Sequence, residues 1–226
     1  GRKGSITQGS LAKWYSVFAL TQPDRGAEGI SAFLVEAGTP NLIFGKKEEK
    51  IGMRGTVTTD VIFENCRVPH RNLLGKEGKG WEMAIDTLNQ SKPAIGALAV
   101  GIAQGALDFA VRYANERIQF GKPISSFQAI QFMIADMATQ MEAARALVYK
   151  AASQMDAKLE DTEKLAAISK YYASEVAMKV TTDADQILGG YGYMRDYPVE
   201  RMMRDAKVTQ IFGEVNQAQR WIVAQQ

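Results

Sequence analysis

The sequence predicts an α+β, multi-domain fold: a small β-barrel or sandwich over residues 1–75, followed by an antiparallel helical bundle over residues 76–226. Two observations carry it. Short runs of β-branched and aromatic residues, separated by Gly, Pro, Asp and Asn clusters, fill the first third of the chain. From Trp81 onward apolar residues instead recur every three or four positions, the helical period.

In the first part, strands are predicted at Lys3–Thr7 and in the runs "KWYSVFALT", "GISAFLVEA", "NLIFGKK" and "TDVIFENCRV". The unit is small for an independent sandwich and opens directly on a strand, so the chain reads as part of something longer. The segment "GKEGKG", Gly75 to Gly80, lacks the G-x-x-x-x-G-K-[ST] spacing of a phosphate loop and reads as a flexible exit loop.

In the second part, "AIGALAVGIAQGALDFAVRYANERIQFG" reads as a long helix stopped by Gly121 and Pro123. A second helix is predicted from Ser126, as N-cap, to Met155. A third starts at Asp161 or Thr162 with an acidic first turn and ends at Gly189-Gly190. Short helices follow from Pro198, at the first helical position, and over Val215 to Ala224. Long antiparallel helices with short connections form a bundle.

Of the 226 residues, 46% are hydrophobic and 23% charged, a globular balance, and the net charge of +2 with no basic run argues against a nucleic-acid partner. The single cysteine, Cys66, excludes an internal disulfide, and with one histidine, His70, zinc sets and a Ser-His-Asp arrangement are hard to assemble, so no metal is expected. The first residues lack an export signal, and the apolar runs read as too short or too often broken by charge to cross a bilayer. The expected location is intracellular, in the cytoplasm or a mitochondrial matrix.

Several segments in order carry a resemblance: Lys3-Gly4-Ser5-Ile6-Thr7-Gln8-Gly9; "IGMRGTVTTDVIFENCRVP"; "NERIQFGKPISSFQAIQFMIADM"; and "DADQILGGYGYMRDYPVERMMRDAK". Together they resemble the acyl-CoA dehydrogenases, flavoenzymes with an N-terminal helical domain, a middle β domain and a C-terminal bundle. The resemblance spans this whole chain and leaves out the first of those domains. It implies FAD as cofactor, an acyl-CoA substrate, an electron-transfer flavoprotein as electron acceptor and a homotetramer.

Residue by residue, the resemblance places Thr7 beside the flavin N5, while Ser5 stands where the family has a tryptophan that shields the ring. Arg117 matches the pyrophosphate-binding arginine of R-x-x-F-G, a role suited to a guanidinium fork. Phe120 would pack on the cofactor and Gln128 would hydrogen-bond it. Gln186, Gly189 and Gly190 match the Q-I-x-G-G segment that meets the adenine end from a neighbouring subunit, and Gln217 is assigned to the cofactor as well. Read alone, these residues are a surface arginine, a helix-end aromatic, solvated glutamines and a glycine C-cap. Asn89 and Lys92 align with the D-x-x-R pair that contacts acyl-CoA.

The family's reaction needs a carboxylate to remove the α-proton of the thioester. Here the usual I-Y-E-G-T reads "IFGEV": Phe212 stands at the tyrosine, Gly213 at the glutamate and Glu214 at the glycine, with Phe212 and Gly213 assigned to the substrate pocket. A second branch places its base at a position that is Ser91 here. Three readings of Glu214 stay open. A loop adjustment could bring it into the site as catalytic base; on regular helix its side chain would swing about 100° away and serve only the helix dipole. Or the base comes from the missing N-terminal domain, or the chain performs another flavin-supported acyl-CoA reaction or is a silent flavin- and acyl-CoA-binding subunit.

Overall fold

The computed structural model describes residues 1–159 and 162–225, in two compact units, 1–87 and 88–226. The first is built of strands β1 (Arg2–Thr7), β2 (Trp14–Leu20), β3 (Ile30–Glu36), β4 (Leu42–Phe44), β5 (Thr58–Phe63) and β6 (Leu73–Leu74). They form two three-stranded antiparallel sheets, ordered β1-β5-β4 and β2-β3-β6. Tyr15 on β2, Val35 on β3 and Val61 on β5 are buried together, with Phe33 and Phe44 packed against them, so the apolar faces of both sheets share one core. The Tyr15 hydroxyl donates to the carbonyls of Gly9 (2.7 Å) and Ala12 (2.9 Å), which satisfies the one polar atom that this ring carries inward.

Strand β1 is bulged. Its register against β5 shifts between Lys3 and Ile6, and Ser5 sits at φ 56° with its N–H donated to Asp60 Oδ1. After the shift, Thr7 pairs with Thr58 and its side chain is exposed. The glycines of "GKEGKG" serve packing. A side chain on Gly80 would come within 2.6 Å of the Ser31 backbone, and the Gly78 N–H donates to Ser31 Oγ at 2.9 Å.

The helices are α1 (Gly80–Glu116), α2 (Gln128–Asp156), α3 (Thr162–Leu188), α4 (Val199–Ala206) and α5 (Asn216–Gln225). In the second unit the core is made largely of small residues: Ala99, Ala103, Ala106, Ala110 and Ala114 of α1, Ala144 of α2 and Ala173, Ala177 and Ala184 of α3 are fully buried. Small side chains let the helix axes approach, and Gly96 marks a tight point, where a Cβ would lie 2.8 Å from Val148 Cγ2. Met137, Met141, Val176 and Val180 fill the remaining space.

Several boundaries differ from expectation. Helix α1 ends at Glu116 and not at Gly121 and Pro123, because strands β7 (Ile118–Gln119) and β8 (Lys122–Pro123) form a hairpin around Phe120 and Gly121. Both turn residues have positive φ, 53° and 78°, the requirement of a tight two-residue hairpin. Ser126 is not an N-cap. It ends a short 3-10 turn, its hydroxyl donates to the Pro123 carbonyl, and Phe127 precedes α2 without a side-chain cap. Pro198 sits one residue before α4, in the N-cap position. Helix α3 starts at Thr162 with Glu163 in its first turn, while Asp161 lies outside the described residues.

The apolar content of α1 also exceeds what its sequence was expected to hold. By length and composition the helix could cross a membrane, with a window of mean hydropathy 1.7. Ala99, Ala103, Ala106, Ala110 and Ala114, with Val100 and Leu107, lie in the bundle core and account for part of that apolar content, while Ala94, Ala97 and Leu98 are exposed.

Candidate functional site

The end of α1, the β7–β8 hairpin, the start of α2 and the end of α3 surround an apolar cavity of about 670 Å³. That is within the range of sites for cofactor-sized ligands. Arg117, Phe120, Gly189 and Gly190 all line it, together with Phe127 and Tyr191. The hairpin turn throws the Phe120 ring outward, where it is 92% exposed and meets Phe127 edge to face. A large aromatic held out in this way offers an apolar plane to something that covers it.

Arg117 follows the last residue of α1, and its guanidinium lies over the Tyr191 ring at 5.3 Å. Among the described residues no carboxylate pairs with it, so its charge remains available to an anion. Across the cavity, Gly189 has φ 59°, which ends α3. A side chain added at Gly189 or Gly190 would meet nothing within 4 Å. The protein's own packing therefore does not require both glycines to be bare, whereas a ligand lying against their backbone would. Gln128 and Gln186 are exposed on α2 and α3 outside the cavity lining, and Gln217 is exposed on α5.

A second constellation surrounds Glu214. The residue lies outside regular helix, since α5 begins at Asn216, and both Gly213 (φ 58°) and Glu214 (φ 69°) are left-handed. From this turn the Glu214 carboxylate reaches Lys92 Nζ at 3.5 Å and accepts a hydrogen bond from Gln219 Nε2 at 3.1 Å. Lys92 is 1% exposed, and its ammonium also donates to Asn89 Oδ1 at 2.6 Å, three residues earlier on the same face of α1. Lys92 thus contacts both Asn89 and Glu214. Phe212 is exposed, and Gly213 is pressed against α1: a Cβ there would overlap Ile95 Cδ1. Ser91 directs its hydroxyl back to the Leu88 carbonyl at 2.8 Å.

Beneath the turn lies Lys170 of α3, fully buried. Its ammonium donates to the Glu214 carbonyl (2.7 Å) and to Asn216 Oδ1 (2.9 Å). Burial lowers its pKa to about 8, against the opposing pull of Glu214 and Glu175.

Comparison with known families decides what these sites belong to. Residues 78–226 match the profile of the acyl-CoA dehydrogenase C-terminal domain, and residues 1–66 match that of the middle domain. The chain belongs to the acyl-CoA dehydrogenase family. Similar members include an acyl-CoA dehydrogenase of Bacillus subtilis, 53% identical over 99% of this chain and 59% of its own length. Butyryl-CoA dehydrogenase from Megasphaera elsdenii superposes with a TM-score of 0.97 at 48% identity, covering 100% of this chain and 58% of that one. A chain from a structure described as an electron transferring flavoprotein of Acidaminococcus fermentans gives 0.97 at 52% identity, covering 100% and 59%. This chain therefore spans somewhat over half the length of the relatives it matches.

Within this acyl-CoA dehydrogenase framework, the sequence-expected residues fall into separate groups. Arg117, Phe120, Gly189 and Gly190 share the cavity; Asn89, Lys92, Gly213 and Glu214 share the polar turn; Thr7 stands on β1 of the other unit. Lys170, Asn216, Gln219 and Tyr191 were not anticipated. Lys170 had one signal: it interrupts an α3 stripe of small residues, with Ala166 and Ala167 before it and Ala173 and Ser174 after, at the spacing of a buried face.

Proposed function

We propose that the protein is an FAD-dependent oxidoreductase that dehydrogenates an acyl-CoA thioester and passes electrons to an electron-transfer flavoprotein. The observation that carries this is the cavity joining Arg117, Phe120 and the bare Gly189-Gly190 backbone. Its residues fit a dinucleotide: the free guanidinium suits a pyrophosphate, the open glycine backbone admits close approach, and the aromatic wall accepts a planar group. The family resemblance also assigns Gln128, Gln186 and Gln217, which lie outside the cavity lining, and Thr7 of the first unit to the cofactor. When bound, FAD supplies a hydride acceptor for the substrate β-carbon.

The chain's own residues then bind and orient. Asn89 presents an amide for the acyl-CoA and Phe212 an exposed apolar surface, while the buried Lys92 serves as the charge partner of Glu214 behind them. Glu214 is the proposed base that takes the α-proton, its carboxylate lying 3.5 Å from the Lys92 ammonium. The exposed Phe120 and the open cavity favour a homotetramer in which a second copy covers the cofactor. We place the enzyme in the cytoplasm, or in the mitochondrial matrix if eukaryotic.

The test uses purified full-length protein. It should carry a visible flavin absorption band that bleaches anaerobically with at least one of a panel of short, branched, cyclic and dicarboxylic acyl-CoAs. Protein that binds no flavin even after FAD is added overturns the reading. A second reading, a silent flavin- and acyl-CoA-binding subunit, is favoured by Ile95 filling the space at Gly213 and by Ser91 occupying the alternative base position. Bleaching by any acyl-CoA removes it.

A further inference from the structure

We infer that Lys170 is a positioning residue for Glu214, acting through the backbone and not through the substrate. Its ammonium bridges the two ends of a three-residue segment, taking the Glu214 carbonyl on one side and the Asn216 side chain on the other. A left-handed conformation at a non-glycine residue costs about 1–2 kcal/mol and persists only where its surroundings hold it. Glu214 at φ 69° is such a residue, and the Lys170 bridge is the contact that fixes its carbonyl. With that carbonyl turned down into the bundle, the side chain is directed to Lys92.

Asn216 is itself held. Its Nδ2 donates to Ser174 Oγ and to Glu175 Oε1, each at 2.9 Å, so the anchor for the bridge is fixed to two consecutive residues of α3. Burying an ammonium is costly unless it is hydrogen-bonded, and both acceptors that meet this need for Lys170 lie on the 214–216 segment. The charged groups that face Lys170 are Glu214 beside α5, Glu175 on its own helix and Lys92 on α1; Glu175 is shared with Arg220 of α5 at 3.5 Å. Glu214 and Glu175 favour the ammonium, while burial and Lys92 oppose it, so the bridge loses its charge near pH 8.

The kinetic consequence rests on the acyl-CoA reading; the geometry does not. The test uses full-length holoenzyme with Lys170→Met, which keeps the length of the chain and removes the donor. Asn216→Ala, which leaves the ammonium and removes its acceptor, is the second variant. Anaerobic flavin reduction by acyl-CoA is followed against pH, and a structure of each variant is determined. In the wild type, reduction should fall as pH rises through about 8. In Lys170→Met it should be roughly 10- to 100-fold slower and flat across that range, the cost of a displaced catalytic group. Glu214 should leave the left-handed region and part from Lys92, with Asn216→Ala showing the same change in lesser degree. If either folded variant keeps both the left-handed turn and the Glu214–Lys92 contact, the inference is overturned. A wild type that binds flavin but is reduced by no acyl-CoA sinks the functional reading alone, and the variant structures still decide the role of Lys170.

Discussion

The Glu214 carboxylate stands 3.5 Å from the ammonium of Lys92, a lysine only 1% exposed, while Glu214 itself keeps 29% of its side chain open to solvent. One partner is locked inside and the other faces outward. The pair thereby combines a buried counter-ion with a carboxylate that can reach a ligand. Glu214→Gln should slow acyl-CoA-dependent flavin reduction by at least about 100-fold, in the range of a lost general base. It should also lower stability by about 1–3 kcal/mol, because Lys92 loses its charge partner. Stopped-flow reduction and denaturant unfolding check the two separately, and normal reduction in a destabilised variant would leave Glu214 with the counter-ion role alone.

Gly213 cannot host the base that the family pattern places there. Its φ of 58° and the overlap of any Cβ with Ile95 Cδ1 both oppose a side chain. Gly213→Ala should cost about 2–4 kcal/mol, from left-handed strain together with overpacking. Adding Ile95→Ala should recover part of that loss, and urea unfolding of the single and double variants measures the coupling. Additive losses would mean that Ile95 is not the obstacle.

How far the sequence could be read follows from these residues. The strands and the bundle were legible because the period of the apolar residues determines them. Arg117, Phe120, Gly189 and Gly190 instead stood out only through the resemblance of their motifs to the family, and read alone were a surface arginine, a helix-end aromatic and a glycine cap. The Phe120-Gly121 hairpin was not, since a glycine followed shortly by proline reads equally as a helix stop. The direction of Glu214 was illegible for a different reason. It depends on left-handed backbone at successive residues, which a tertiary contact from Lys170 maintains, forty-odd positions away along the chain. Lys170 in turn reads as a solvated helix lysine until its alanine neighbours are placed in the core.

Arg117 gives the cleanest separation of cofactor binding from folding. Its guanidinium touches only the Tyr191 ring among the described aromatic groups, so replacing it removes little from the core. Arg117→Gln should weaken FAD binding by roughly 10- to 100-fold, the loss of a charge-assisted contact to a phosphate. Arg117→Lys should fall between, because an ammonium lacks the fork. Equilibrium titration of the apoprotein with FAD measures this, and the unfolding free energy without FAD should change by about 1 kcal/mol or less. Unchanged FAD affinity in Arg117→Gln would remove the cavity from the cofactor site.

Asp185 supplies a pH dependence with the opposite origin to an ion pair. One of its carboxyl oxygens is buried without a hydrogen-bond partner among the described residues. Burial, reinforced by nearby Glu200, raises its pKa from 3.8 to about 6. Between those values the folded protein keeps a proton that the unfolded chain has released. The stabilising contribution is therefore full below about 3.8 and is lost as pH rises through about 6. At neutral pH the residue is a charge held in an unfavourable place. Asp185→Asn, neutral at every pH, should gain about 2 kcal/mol at pH 7 relative to wild type and lose that gain as pH falls toward 4. Urea unfolding of both proteins across this range tests it, and a difference that stays constant with pH would show that the carboxyl does not change its protonation on folding.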